Sequence, residues 1–226
     1  MRILWQRFKE YFKEHSTVEK KKLKDMSLKE KVDYIWEYYK IPIIGVTIFL
    51  FIAASIINNI MNPPTPSYAA IAFYEIFIPD ETSNELISRL TKKLIEDPKE
   101  YQIYTHSLIA GGDPTAEMAI IQKLMAMVMV SEIDLLVADE EMFKGFLAEG
   151  FFMDLNTVGI TVPDELIISG YTIDDPEIRP YGINLGNSRL LYEVGIIRPE
   201  RLNIGIIISS EATDNAINIL NALLEG

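Results

Sequence analysis

Residues 41–61 (IPIIGVTIFLFIAASIINNIM) carry no charged side chain and are apolar on every helical face, which sets them apart from the rest of the chain. At 1.5 Å per residue, a helix of this length spans about 30 Å, the hydrocarbon thickness of a bilayer, so the run predicts one transmembrane helix. A core helix of a soluble domain would show an amphipathic stripe, and none is present. Beyond it, Asn62-Pro63-Pro64-Thr65-Pro66 cannot continue a helix. Residues 62–67 therefore read as a stiff extended linker, on the order of 15 Å long.

From 68 to 226 the pattern changes to alternation. Apolar runs at 69–76, 101–105, 133–138 and 202–209 interleave with helical patterns at about 83–95, 115–130, 139–149 and 211–224. Local start signals support the helices. Thr82-Ser83-Asn84-Glu85 reads as a capping box, Asp113-Pro114 places an N-cap before a proline at the first helical position, and Asp139 can cap a third helix. Continuous rather than alternating apolar runs suit strands buried on both faces, most clearly at 202–209 with its four isoleucines. The expected fold is α/β: a single extracytoplasmic sheet covered by helices on both faces, preceded by one transmembrane helix and a cytoplasmic helical arm. Residues 154–200, with four prolines and a strand expected at 181–185, leave open the strand order and whether a second lobe forms.

Residues 1–40 are expected to be that arm. Ile3, Leu4, Trp5, Phe8, Tyr11 and Phe12 recur at helical spacing with Arg2, Arg7, Lys9 and Lys13 between them, a basic amphipathic helix. Its apolar face suits either the inner leaflet, where each basic residue gains about 1 kcal/mol near anionic lipid, or a partner helix. Ser27-Leu28-Lys29-Glu30 is a second capping box, opening a helix expected to run into the span. Trp36, Tyr38, Tyr39 and Lys40 stand where amphipathic side chains favour the membrane interface, and Pro42 suits the first turn of a helix beginning there. Seven lysines from Lys20 to Lys40 precede the span, and the first basic residue after it is Arg89. The positive-inside rule then places the N-terminus in the cytoplasm and residues 68–226 outside the cell membrane. A cleaved signal peptide, with Ser67-Tyr68-Ala69 as a weak site, fits less well than an uncleaved anchor, because the apolar run is too long for an h-region.

Charge separates the two ends. Residues 1–40 carry 11 Lys/Arg against 7 Asp/Glu, whereas 67–226 carry 10 against 26, a balance of −16. So acidic a domain repels phosphate backbones, and nucleic acid is not expected as a partner. The absence of cysteine excludes disulfides, thiolate metal sites and a lipid-modified cysteine.

Candidate chemistry is sparse. The outer domain holds one histidine, His106, at a strand end next to Ser107, and no G-x-S-x-G, P-loop or H-E-x-x-H motif accompanies it. No enzyme activity, cofactor or metal is expected, a hydrolase using Ser107 and His106 being the weakest alternative. Gly111-Gly112-Asp113 forms a loop before a helix whose backbone donors can hold a small anion, although Asp113 opposes one. With His106 and the helix start at Asp139, these are the candidate ligand-binding residues. Asp174, Asp175 and Glu177 form an acidic cluster without the spacing of a calcium loop. Met118, Met125 and Met129 follow helical spacing, and such faces either fill a core or receive a peptide.

Residues 115–155 (TAEMAIIQKLMAMVMVSEIDLLVADEEMFKGFLAEGFFMDL) contain a helix, an apolar strand opened by Ile133, Asp134 and Leu135, and Phe143, Gly150, Asp154 and Leu155 spaced behind it. This arrangement resembles type II extracellular solute-binding proteins, and the closing IGIIISSEATDNAINILNALL is similar to the strand and helix with which they return to their first lobe. The whole, with YYKIPIIG at the membrane, also resembles single-span membrane proteins of Gram-positive bacteria. About 160 outer residues suffice for one lobe, not two clamping lobes. The resemblance therefore implies a surface reused for protein contacts, as in a transporter accessory. The expected function is a membrane-anchored interaction module binding a protein partner in the cell envelope; the alternative is a reduced receptor for a small-molecule ligand.

Overall fold

In the computed structural model the described residues are 26–61, 63, 65–160, 162–196 and 199–225, with the backbone alone for Ile35 and Tyr38. The basic helix expected around Trp5, Phe8 and Phe12, and the side chain of Tyr38, lie outside them. The chain divides into two compact units, Met1–Pro64 and Thr65–Gly226.

In the first unit, helix α1 (Leu28–Met61) opens on the capping box read from the sequence. Glu30 Oε2 accepts the Ser27 N–H at 2.8 Å and Ser27 Oγ accepts the Glu30 N–H at 3.4 Å. These hydrogen bonds hold the Glu30 carboxyl below the usual carboxylate range. Because this cap starts the helix at Leu28, Pro42 lies in its interior and not in a first turn, and its missing N–H leaves one rung of the helical ladder unmade. Residues Tyr39–Met61 are long and apolar enough to cross a membrane, and their most apolar stretch is wholly unburied. Thr47, within this stretch, donates its hydroxyl to the Ile43 carbonyl at 2.8 Å, so the polar atom is satisfied inside the helix. Trp36 is exposed just before Tyr39–Met61, and Tyr39 and Lys40 are exposed in its first turn.

The second unit is built on a mixed six-stranded sheet. Its strands are β1 (Ser67–Tyr74), β2 (Gln102–Leu108), β3 (Leu135–Asp139), β4 (Ile167–Gly170), β5 (Arg179–Asn184) and β6 (Leu202–Ile206), in the order β2-β1-β3-β6-β5-β4. β1 pairs parallel with β2 and β3, through crossovers that carry α2 (Asp80–Leu94) and α3 (Pro114–Met129). β6 runs antiparallel to β3 and β5, and β4 antiparallel to β5. The described residues between 154 and 200 therefore join the same sheet through the β4–β5 hairpin and build no second lobe. Of the elements here, only β5 was anticipated; β4, the single turn α5 (Leu155–Val158) and α6 (Arg189–Glu193) are too short to show periodicity.

The strand pleat sorts the core into two layers. Ala69, Ile71 and Phe73 of β1, with Leu135 and Val137 of β3, face Leu86 and Leu90 of α2 and Ile219, Leu220 and Leu223 of α7 (Thr213–Leu224). Ala70, Ala72 and Tyr74, with Leu136 and Ala138, face Leu124 and Met127 of α3 and Phe143, Phe146 and Leu147 of α4 (Glu140–Ala148). Both faces are thus covered, and all five residues of β6 are buried. Close packing in the second layer depends on two strand glycines beneath the stacked rings of Phe143 and Phe152, whose centroids are 4.3 Å apart. A Cβ on Gly205 would lie 2.6 Å from the Phe152 ring, and one on Gly182 would overlap Phe143.

Helix α2 departs from its sequence signal. It begins at Asp80 behind Pro79, not at the Thr82 capping box, and its N-cap makes no side-chain hydrogen bond. The fixed φ of Pro79 (−56°) pre-forms the entry, and Asp80 and Glu81 complement the first-turn N–H groups. Ser83 instead shares a 2.6 Å hydrogen bond with Thr105, fastening the helix to β2.

Candidate functional site

In an open α/β sheet, ligands bind outside the carboxyl ends of the strands where the strand order reverses. That point here is the end of β1, with β2 on one side and β3 on the other. Glu75 ends β1 in left-handed backbone (φ 54°), and its Oε1 accepts the Ala110 N–H at 2.6 Å. Gly111 (φ 66°) and Gly112 (φ 82°) then turn the chain toward α3, a conformation that favours glycine. Asp113 Oδ1 accepts the Thr115 N–H at 2.8 Å, and after β3 Asp139 Oδ1 accepts the Met142 N–H at 2.9 Å. Gly111, Gly112, Asp113 and Asp139 therefore follow the parallel strands as expected. Each aspartate, however, already occupies the N-terminus of its own helix. With Glu75 after β1 and Glu141 beside Asp139, and with Glu140 paired to Lys144, the net charge of these loops is negative, which disfavours the small anion that the glycine loop suggested.

His106 does not join them. It lines a separate cleft of about 540 Å³ with Ser67, Tyr104, Ser131, Glu132, Asp134 and Glu211. Burial pushes its imidazole below the ordinary value of 6.5; Glu132 opposes this to a smaller extent and Lys123 adds to it. Ser107 follows it on the same strand and so projects to the opposite face. Three of the polar groups of this cleft, on Tyr104, Ser131 and Asp134, are already engaged. Tyr104 donates its hydroxyl to the Thr65 carbonyl at 3.1 Å, and Ser131 donates to the Ser209 carbonyl at 2.8 Å.

Asp134 is a brace. Buried to 5% exposure, its Oδ2 accepts the Ala70 N–H at 2.8 Å and its Oδ1 accepts the Ser210 hydroxyl at 2.6 Å. One carboxylate thereby ties together the start of β1, the entry to β3 and the turn after β6.

Two members of the acidic cluster at Asp174, Asp175 and Glu177 are drawn to a cation of the chain itself. Arg179 contacts Glu177 at 2.7 Å, Asp175 at 3.0 Å and Asp154 at 3.5 Å. Among the described residues no group of three or more His, Asp or Glu is arranged to hold a metal ion.

An apolar surface not covered by packing lies on α3 and α4. Met118, Met125 and Met129, singled out in the sequence for their spacing, are 65%, 47% and 84% exposed, while Met127 and Leu124 fill the core. Met125 and Ile121 line a groove of about 600 Å³ whose other wall is Met142, Gly145, Phe146 and Phe151, with Glu141 and Glu149 beside them. Of the three methionines read from the sequence, only Met125 lines this groove. The opposite wall was marked by Met142, Gly145 and Glu149 at spacings of three and four, but nothing local says that two helices in separate crossovers lie side by side. Compared with known proteins, the chain matches no family model, no curated protein and no solved structure.

Proposed function

We propose that the protein is a membrane-anchored interaction module: α1 fixes it in the cell membrane with the basic N-terminal arm in the cytoplasm, and Thr65–Gly226 binds a protein partner in the cell envelope without catalysing a reaction. The observation that carries this reading is the exposed apolar face of α3, with Met118, Ile121, Met125 and Met129 uncovered in a domain whose two cores are otherwise complete. Apolar surface left exposed along one helix face marks interaction sites in soluble domains when it is contiguous. The lysines before residue 41 and their absence until Arg89 support the orientation.

Gentle crosslinking in the native membrane tests the proposal. It should yield a discrete heteromeric adduct, and recovery of monomer alone would defeat it. A tag placed at Gly226 should be digested by external protease on intact protoplasts. Protection until lysis would reverse the orientation.

The His106 cleft supports a second reading, a reduced receptor for a small solute, since about 540 Å³ lies within the usual range for ligand pockets. A thermal-shift screen separates the two, because a ligand at 100 times its Kd adds about 2.7 kcal/mol of stability. A flat screen disposes of the receptor.

A further inference from the structure

We infer that the groove between α3 and α4 receives an amphipathic helix of the partner protein, one whose apolar stripe is flanked by lysine or arginine. This rests on the interaction-module reading and names the surface and the chemistry it selects. On α3, Ile121 and Met125 line the groove and the exposed Met118 precedes them, at 0, +3 and +7; on the other wall Met142 and Gly145 of α4 and Glu149 at its C-cap stand at the same spacing. That is the interval at which one helix meets another, so the two helices present parallel seams to a third. Gly145 keeps the floor of the groove low. A Cβ built there meets nothing within 4 Å, so an incoming helix backbone can approach where a larger side chain would hold it off. The methionines on the walls adapt to the knobs of an occupant, as flexible thioethers do at peptide-binding surfaces. From Met118 to Met129 the seam runs roughly 17 Å, three turns of an occupant helix.

Charge selects the occupant. Both charged residues lining the groove are carboxylates, Glu141 and Glu149, about 12 Å apart along α4. The nearby Lys144 is paired with Glu140 at 2.6 Å. A flanking lysine or arginine on the occupant meets an unanswered carboxylate at each end of the α4 wall. The same carboxylates repel an anionic lipid surface, and a second copy of this chain would set Glu141 and Glu149 against their own likeness.

The test uses the full chain in detergent micelles with ¹³C-labelled methionine methyls and two synthetic 16-residue helical peptides. Both carry leucine at 0, +3, +7 and +10; one is flanked by lysine and the other by glutamate. The lysine peptide should shift the Met118, Met125 and Met142 methyls saturably and bind at least tenfold more tightly than the glutamate peptide. The double substitution Glu141→Lys, Glu149→Lys should invert that preference. Gly145→Leu, at a position open to solvent, should abolish binding with an unchanged circular dichroism spectrum. Equal affinity for both peptides, shifts confined to other methyls, shifts that follow protein concentration without peptide, or a stronger response to anionic vesicles would each overturn the proposal. Crosslinking in the native membrane keeps it distinct from the broader reading. An adduct that survives Gly145→Leu removes the groove and leaves the interaction module, whereas monomer alone from the unaltered chain removes the module.

Discussion

Replacing Asp134 probes the hydrogen bonds that join the start of the sheet to its last turn. In Asp134→Ala the Ala70 N–H and the Ser210 hydroxyl lose their acceptors, and these residues are only 2% and 9% exposed, so water replaces the carboxylate poorly. A buried donor left unpaired costs about 1–3 kcal/mol, so the variant should lose roughly 4 kcal/mol. At about 2–4 °C per kcal/mol for a unit of this size, Tm should fall by about 8–16 °C. Asp134→Asn should cost less than about 1.5 kcal/mol, since its amide oxygen still accepts from Ala70 and its amide nitrogen can donate to the Ser210 oxygen. The assay is urea unfolding of the full chain in detergent, followed by far-UV circular dichroism. Tryptophan fluorescence would not serve, because the two tryptophans, Trp5 and Trp36, precede Thr65–Gly226. An alanine variant within 1 kcal/mol of the parent, or an asparagine variant as damaged as alanine, would refute the reasoning.

Three further outcomes are expected. The Tyr74 hydroxyl is buried with no hydrogen-bond partner among the described residues, and burial, aided by Glu75 and Glu117, pushes its pKa up; Tyr74→Phe should leave stability unchanged or raise it by up to about 1 kcal/mol by the same unfolding assay. Gly182→Ala should cost about 1–3 kcal/mol, because the new methyl collides with Phe143, and Gly182→Ala combined with Phe143→Leu should recover part of that loss. Since His106 has a folded pKa below the ordinary 6.5, the unfolded chain takes up its proton first as pH falls; stability is full above 6.5 and declines below it until the folded pKa is passed. His106→Gln should flatten that part of the stability–pH curve, and an unaltered slope would contradict the burial argument.

Sequence alone determined what depends on neighbours within about four residues or on composition along one helix. The uncharged run ending at Met61, the capping box at Ser27 and the N-caps at Asp113 and Asp139 were legible because their hydrogen bonds close locally. The continuous apolar runs announced a sheet covered twice, as β6 confirms with five buried residues. Even local signals yielded where a stronger one lay close by: Pro79 with its acidic neighbours starts α2 three residues ahead of Ser83, and Ser83 turns to Thr105 of β2.

Tertiary structure decided everything that pairs distant residues. The antiparallel insertion of β6 beside β3 and the bracing of Ala70 and Ser210 by Asp134 join positions more than 60 apart in the chain, and the region between 154 and 200 enters the same sheet through the pairing of β5 with β6, beyond the reach of any local signal. It also parted what the sequence set together, sending His106 into one cleft and Gly111–Asp113 to another end of the strands. The groove between α3 and α4 belongs to this second class. Each wall carries a readable seam, but the space between them exists only because β1 and β3 are hydrogen-bonded neighbours that bring the two helices onto one face.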